Sequence, residues 1–385
     1  MKLLRSMSLA ILLLSLTTPA KAVEKIKRAP ENYISIDLTE VPRDQPRIKR
    51  IFEWDQRTVV QTDDTFYRID IENGTAVPIF CPGERSLIGV SCQPGGKIYA
   101  LCKDERGFFL FARGNRGWDH LELPKTLGIS DGNVRLLSNR DHLILLDAGN
   151  IHKFADGKWK QIPYQQHKQT KSRSLLTLTR EDHAILFEDR VFVGHNWGEW
   201  GGGLVSLDLN TGKWQEHFSG TPVTGFAIRS SGELWVSQGL GHMGGVRGAI
   251  RVYDGKSWSV FSENKGFMGF DSRKLVFKDV ETKNWPFDPA VFDSLSFDSD
   301  GNLLALSGSL GILRYREGKW NNWIRISPDQ MKHIYVSSFF LPNNDTIIIG
   351  LYDGGIVVLN LNTGKYNRVT MAESFYYWDH QSKTR

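Results

Sequence analysis

The chain has 385 residues, of which 40% are hydrophobic and 11% aromatic, enough to build a sizeable core. Its formal net charge is +5, but three of the 48 basic residues lie in the first 22 positions, which contain no acid. The remainder therefore carries 45 basic against 43 acidic residues, a balance of +2. So small a balance gives no reason to expect nucleic acid as a partner.

The N-terminus reads "MKLLRSMSLAILLLSLTTPAKA" and predicts a secretory signal peptide over residues 1–22. A basic start precedes a short apolar run at residues 9–16, and cleavage is expected after Ala22. That run is too short to span a bilayer. The alternative is an N-terminal anchor that stays attached. We expect a periplasmic or secreted protein without a transmembrane segment in its mature chain.

Seven short stretches resemble one another, among them "LVSLDLNTGKWQEHF", "IRVYDGKSWSVF" and "ILRYREGKWNNWI". Each has an alternating strand, a polar turn that ends in glycine, and a second strand that usually starts with an aromatic residue. Glycine favours such hairpins because it accepts the positive φ of a tight turn. The turn glycines, spaced 40–63 residues apart, are Gly74, Gly117, Gly157, Gly212, Gly255, Gly318 and Gly364.

Two further strands precede each hairpin, as in "VTGFAIR" and "ELWVS" of the fifth unit. Four strands repeated seven times predict an all-β fold, a seven-bladed β-propeller of four-stranded antiparallel blades. We place the propeller at residues 46–370, after an N-terminal extension at 23–45. The tail at residues 371–385 contains "FYYW" and is expected to pack on the ring. We expect a monomer.

The stretches "RVFVGHNWGEWGGGLVSLDLNTGKW", "TIIIGLYDGGIVVLNLNTGKY" and "NLLALSGSLGILRYREGKW" resemble the two-component-regulator propeller repeat. That repeat is common in bacterial periplasmic sensor domains, and the chain more distantly resembles the streptogramin B lyases. The resemblance implies a ligand-binding, sensor-like propeller, here without a signalling domain of its own. The catalytic residues of the lyases do not map onto this sequence one by one.

One loop, "HNWGEWGG", follows the second strand of the fourth unit and holds polar and aromatic residues among glycines. In a propeller the loops between the second and third strands share one face near the central channel. The same loop of unit 5, "QGLGHMGGVR", and that of unit 7 should therefore meet it. The candidate ligand-binding residues are His195, Asn196, Trp197, Glu199, Trp200, His242, Arg247, Tyr352 and Asp353.

Aromatic walls and approachable backbone amides suit a small molecule, a glycan or an envelope-protein partner. The alternatives are a loop that only caps the channel, a rigid spacer, and a lyase- or hydrolase-type enzyme using His195, Glu199 and His242. The same three residues could hold a metal, but glycine-rich loops do not fix ligand geometry, so we expect no metal. We expect no cofactor.

The predicted strands assign each of the three cysteines to one face of the ring. Cys81 ends the fourth strand of unit 1 and Cys102 the second strand of unit 2, both at the same face. Cys92 ends at the opposite face. A Cys81–Cys102 disulfide is the pairing the topology allows, and three buried free thiols are the alternative.

The longest link, at residues 262–293, separates units 5 and 6. Its apolar pieces "GFMGF" and "KLVF" suggest a small hairpin over the mouth of the channel, as a lid or docking element. An ordinary insertion packed on the rim is the alternative.

Overall fold

Short antiparallel strands make up almost all the regular structure in the computed structural model. It describes residues 34–36, 48–54, 57–62, 66–79, 82, 85–92, 97–114, 117–124, 134–147, 150–163, 178, 182–242, 245–264, 270–271, 276–277, 282–283, 292–307, 311–326, 336–351 and 355–371. Within them the one helical element is a 3-10 turn, Gly198–Trp200. No helix in these ranges has the length and apolar character needed to cross a membrane.

Each blade is a contiguous four-stranded meander, whose strands we call a to d from the innermost outward. Blade 1 consists of β2 (Ile48–Trp54), β3 (Arg57–Thr62), β4 (Phe66–Asp70) and β5 (Thr75–Pro78), and blade 2 of β6 (Ser86–Cys92), β7 (Ile98–Asp104), β8 (Gly107–Gly114) and β9 (Gly117–Leu121). Blade 3 consists of β10 (Arg135–Ser138), β11 (Leu143–Asp147), β12 (Asn150–Ala155) and β13 (Lys158–Gln161), and blade 4 of β14 (His183–Phe187), β15 (Arg190–Asn196), β16 (Gly202–Asp208) and β17 (Trp214–Ser219).

Blades 5 to 7 repeat the pattern. Blade 5 consists of β18 (Val223–Ile228), β19 (Leu234–His242), β20 (Gly245–Tyr253) and β21 (Trp258–Asn264). Blade 6 consists of β25 (Phe292–Phe297), β26 (Leu303–Ser307), β27 (Gly311–Arg316) and β28 (Lys319–Ile326). Blade 7 consists of β29 (Val336–Asn343), β30 (Thr346–Leu351), β31 (Gly355–Asn360) and β32 (Tyr366–Met371). The predicted seven-bladed β-propeller is therefore confirmed.

The seven predicted turn glycines all join strands c and d, and all have positive φ, from 63° at Gly74 to 126° at Gly117. A side chain with a Cβ rarely adopts this conformation. The turns place the c–d connections at one face of the ring, which leaves the b–c connections at the other face, called here the b–c face.

Seven hydrophobic clusters hold the ring together, one between each pair of neighbouring blades. Strand β11 shows how the sequence produces them, since all five of its residues are buried. Successive side chains point to opposite faces of a strand. Leu143 and Leu145 accordingly pack against blade 2, while Ile144 and Leu146 pack against blade 4.

Each of the seven blades consists of consecutive strands, so the ring closes without a blade that combines strands from the first and last parts of the propeller. Every strand a contacts the strand a of both neighbouring blades, and β2 of blade 1 lies against β29 of blade 7. The outer strands β5 and β32 of the same two blades also pair in parallel. A short additional strand, β1 (Ile34–Ile36), pairs in parallel with β28 at the outer edge of blade 6.

The insertion between blades 5 and 6 contains the predicted small hairpin. Its strands are β22 (Phe270–Asp271) and β23 (Val276–Phe277), which pair antiparallel. A third strand, β24 (Thr282–Lys283), returns to pair with the end of β21. The insertion therefore adds a fifth strand to the outer edge of blade 5. Its placement over the channel mouth remains a prediction.

Cys102 is buried in the cluster between blades 1 and 2, and it is disulfide-bonded. Cys92, at the end of β6, is the strand partner of Ile98, and Ile98 lies four residues before Cys102 on β7. That offset corresponds to about 13 Å at roughly 3.3 Å per residue, beyond the reach of a disulfide. Cys81 lies outside the described residues, so its pairing with Cys102 remains the prediction.

Peptide mapping under non-reducing conditions tests that pairing. We expect one cross-linked peptide that contains Cys81 and Cys102, and an alkylatable thiol at Cys92. Cys92→Ser should leave the cross-link intact, whereas Cys81→Ser should abolish it. A peptide that links Cys92 to either of the other two cysteines would contradict the assignment.

His217, on the outer strand of blade 4, is part of the contact with blade 5. Its Nδ1 accepts the indole N–H of Trp258 at 3.1 Å, and its Nε2 lies 2.8 Å from Ser206 Oγ. Since the indole can only donate, Nδ1 is unprotonated and Nε2 carries the hydrogen. Burial, with a smaller effect from Arg190, lowers the pKa of His217 from 6.5 to about 4.

This shift predicts a loss of stability in mild acid. The unfolded chain binds a proton at His217 below pH 6.5, whereas the folded protein does so only near pH 4. Stability should therefore fall by about 2 kcal/mol as the pH drops through that window, and this residue should contribute no further change below it. His217→Gln, which can keep both hydrogen bonds, should flatten that part of a urea-unfolding pH series. An unchanged slope in the variant would contradict the assignment.

Candidate functional site

The b–c connection of blade 4 lies between strands β15 and β16 and contains the 3-10 turn Gly198–Trp200. This is the loop that the sequence singled out. The turn lies against β19 of blade 5. The loop therefore rests on the neighbouring blade as well as on its own.

Backbone hydrogen bonds define the shape of this loop. The Trp197 amide donates to Gly201 O at 2.9 Å, and the Trp200 amide donates to Trp197 O at 3.2 Å. The Gly198 amide donates to the side-chain oxygen of Asn196 at 3.1 Å. Gly198 and Gly201 have φ of 59° and 91°, which explains why glycine occupies both places. The loop is thus a folded turn with internal hydrogen bonds.

The buried carboxylate of Asp182 contacts the two residues that lead into the loop. Its Oδ1 accepts the Asn196 amide at 2.8 Å, and its Oδ2 lies 3.3 Å from His195 Nδ1. His195 is only 4% exposed, and its ring packs on that of Trp197 with centroids 5.4 Å apart. Asp182 therefore orients the histidine, which in turn supports the indole. This geometry makes His195 and Asn196 positioning residues.

Trp197 and Trp200 present the apolar surface of the loop. Trp200 is 82% exposed and Trp197 37% exposed. Among the described residues the other exposed large hydrophobic side chains are Val77 and Ile228, on the outer strand of blade 1 and at the far end of strand β18. Two neighbouring exposed indoles on a hydrogen-bonded turn form a ready contact surface for a ligand.

The corresponding part of blade 5 is a hairpin, where the sequence suggested a long loop. Strands β19 and β20 stay paired up to His242 and Gly245, and Leu240 pairs with Arg247. The difference has a physical reason, because continued pairing satisfies the backbone groups of a glycine-rich segment. The register places the backbones of His242 and Arg247 at the b–c end of blade 5, and the structure does not describe their side chains.

The remaining predicted site residues are only partly placed. Glu199 lies within the 3-10 turn, and its side chain is not described. Tyr352 and Asp353 lie outside the described residues, so their share in the site remains a prediction. Within the described ranges, no group of three or more His, Cys, Asp or Glu residues is arranged to hold a metal.

A recurring polar position next to the b–c loops was not among the sequence predictions. In five blades strand b carries a buried polar side chain where it reaches the b–c face. These residues are Thr62, Asp147, His195, Gln238 and Ser307. Cys102 and Leu351 occupy the same place in blades 2 and 7. Aligning "VVQT", "ILLD", "FVGH", "WVSQ" and "LALS" would have revealed it.

Asp182 also acts across the boundary with blade 3. Burial lowers the pKa of Arg135, at the start of β10, and the nearby Asp182 carboxylate opposes that shift. Asp182 thus carries a negative charge between a positively charged residue of one blade and the tryptophan loop of the next. It was not a candidate in the sequence because it belongs to no recognisable motif.

Gly202, which follows the loop, has no room for a side chain. A Cβ there would overlap the carbonyl oxygen of His195 and approach Pro222 Cα to 2.7 Å. Gly202→Ala should therefore destabilise the protein by about 2 kcal/mol or more in chemical denaturation. Gly89→Ala is the matched control, since its Cβ would meet only Leu136 and Leu101 at 3.8 and 3.9 Å. Equal stability of the two variants would contradict the described close approach.

Comparisons with known proteins agree with this architecture. No protein-family model and no curated protein matches the sequence. A structure of YCF48 bound to D1 peptide is 13% identical, with a TM-score of 0.50 over 85% of this chain and 93% of that one. The extracellular domain of a hybrid two-component system from B. thetaiotaomicron is 14% identical, with a TM-score of 0.48, and covers 85% and 39%. Virginiamycin B lyase from Staphylococcus aureus is 11% identical, with a TM-score of 0.48, and covers 83% and 95%. At these identities the similarity concerns the fold, and the chain is a seven-bladed β-propeller.

Proposed function

We propose that this protein is an exported, non-catalytic binding protein that recognises its ligand on the b–c face, with Trp197 and Trp200 as the contact surface. The observation that carries the proposal is the 82% exposure of Trp200 on a turn whose backbone is fixed by hydrogen bonds. An exposed indole gains apolar contact area when a ligand covers it. Because the turn is already ordered, binding costs little conformational entropy.

The chemistry of the surface favours a glycan or a peptide as the ligand. Indole faces stack on the C–H faces of sugar rings and on flat or apolar side chains. The nearby turn glycines let a ligand approach the backbone closely. The YCF48 structure is of a peptide complex, which makes peptides a reasonable class of probe beside glycans.

Export is supported by two independent features. The N-terminal sequence has the basic start, the short apolar run and the small-residue end of a signal peptide. Cys102 is disulfide-bonded, which is typical of proteins that mature in an oxidising compartment. A periplasmic or secreted location is part of this proposal.

The described geometry gives less support to an enzyme. A general acid or base must reach the substrate, whereas His195 is only 4% exposed. Such a buried histidine is better suited to supporting the loop than to contacting a substrate. We therefore assign binding to the tryptophans and support to the histidine.

Binding measurements on Trp200→Ala test the proposal. The probes are soluble glucan, chitin and peptidoglycan oligosaccharides and a synthetic peptide library, first screened on the wild type by tryptophan fluorescence. For each probe that binds, Trp200→Ala should weaken affinity at least tenfold, as expected for a central aromatic contact worth about 2 kcal/mol. The melting temperature should stay unchanged, because the side chain is almost fully exposed.

Ile228→Ala is the matched control, since it removes an exposed apolar side chain at the opposite face. It should bind every probe with wild-type affinity. Equal affinity of Trp200→Ala and the wild type would contradict the proposed surface. Failure of the whole glycan and peptide panel to bind the wild type would contradict the ligand class.

A further inference from the structure

Blade 3 carries a cluster of polar residues where its second and third strands meet at the b–c face. Asp147 ends β11 and Asn150 begins β12, and these two residues are direct partners in the antiparallel pairing. His152 lies two residues further along β12, where it pairs with Leu145. Asp147 and His152 are each only 1% exposed. Buried polar side chains of this kind require partners inside the protein.

The strand register places Asp147, Asn150 and His152 on one face of the blade. Asp147 alternates along β11 with Leu143 and Leu145, which pack against blade 2, so its side chain shares that face. Partners in the pairing also share a face, which brings Asn150 and His152 to the same side. Cβ atoms of direct partners are about 4.5–5.5 Å apart, and those of diagonal neighbours about 7 Å. The three side chains therefore form a triangle small enough to share one cation.

His152 provides the observation that points to a ligand. Its Nε2 atom is buried and has no hydrogen-bond partner within the described part of the chain. A buried nitrogen in this situation has lost the hydrogen bond that water would give it. The neutral imidazole expected at pH 7.5 offers a lone pair, and it is the commonest side-chain ligand of metals in proteins.

Asn150 and Asp147 add two oxygen ligands to this nitrogen. The side-chain oxygen of Asn150 accepts a hydrogen bond from Gln161 Nε2 at 2.9 Å. That bond orients the amide and leaves its oxygen a second lone pair. Asp147 takes part in a further interaction, and its two carboxylate oxygens offer about four lone-pair sites, enough to bind a metal as well.

We propose that Asp147, Asn150 and His152 bind one divalent transition-metal ion, for which zinc is the probe. The imidazole ligand favours zinc over magnesium and calcium, which prefer oxygen ligands. Three protein ligands leave a fourth position for water. Because one ligand is an amide, the set is compatible with the absence of groups of three His, Cys, Asp or Glu residues within the described ranges. The site is separate from the tryptophan loop, and it does not rest on the proposed function.

The test adds zinc alone to the untagged, chelator-treated protein at pH 7.5, with magnesium and calcium compared separately. The wild type should bind one zinc ion per chain in calorimetry, and its melting temperature should rise saturably, because a ligand of the folded state stabilises it. The Nε2 NMR signal of one histidine ring should shift in step with binding. His152→Gln should remove the binding, the rise in melting temperature and the shifted signal.

Gln161→Ala tests the same site without changing a metal ligand. Gln161 is exposed, so the variant should fold normally. It loses the hydrogen bond that orients the Asn150 amide, and it should therefore bind zinc about tenfold more weakly than the wild type. Unchanged zinc affinity in this variant would contradict the role of Asn150.

His120→Gln is the matched control, because it removes an exposed histidine whose ring contacts Phe109 and Phe111, on the side of blade 2 that faces blade 1. It should bind zinc as the wild type does. A wild-type protein with no saturable response to zinc would overturn the site. Magnesium or calcium binding as tightly as zinc would overturn the metal class, and a zinc response that survives unchanged in His152→Gln would overturn the role of His152.

Discussion

The packing of each blade against its two neighbours is the interaction on which the rest of this structure depends. A four-stranded blade has two apolar faces, and neither can be buried within the blade itself. The seven clusters between blades bury both faces only when the ring is closed. Each buried aliphatic or aromatic side chain contributes about 1.5–3 kcal/mol, so the loss of one interface would affect both of its blades.

This packing leaves the ends of the strands free to vary in chemistry. The c–d turns are nearly uniform, since all seven need a glycine with positive φ. At the b–c face the corresponding places differ from blade to blade, with a buried polar residue ending strand b in five blades. Asp182 contributes to this variation through three interactions: it contacts His195, accepts the Asn196 amide of the tryptophan loop, and lies near Arg135. The packed ring therefore presents a b–c face whose chemistry differs from blade to blade.

The sequence predicted the repeating features well because they follow from local rules. Alternating strands and turn glycines recur in every blade, so seven weak signals support one another. The exposed loop of blade 4 could be found because its tryptophans lie among glycines. The buried Asp182 could not be found in this way, since it lies 47 residues from Arg135 in the sequence and comes near it only when blades 3 and 4 pack together. The blade 5 segment was mistaken for a loop because glycine weakens the strand signal without preventing pairing.

Hydrogen exchange of the ligand-free protein tests most directly whether the tryptophan loop is ordered before it meets a ligand. The amides of Asn196, Trp197, Gly198, Trp200 and Gly201 all donate hydrogen bonds in the structure. Their exchange should therefore be slowed to within about tenfold of that of the flanking strands β15 and β16. Exchange of these five amides at the rate of an unstructured peptide, beside protected strands, would contradict the account.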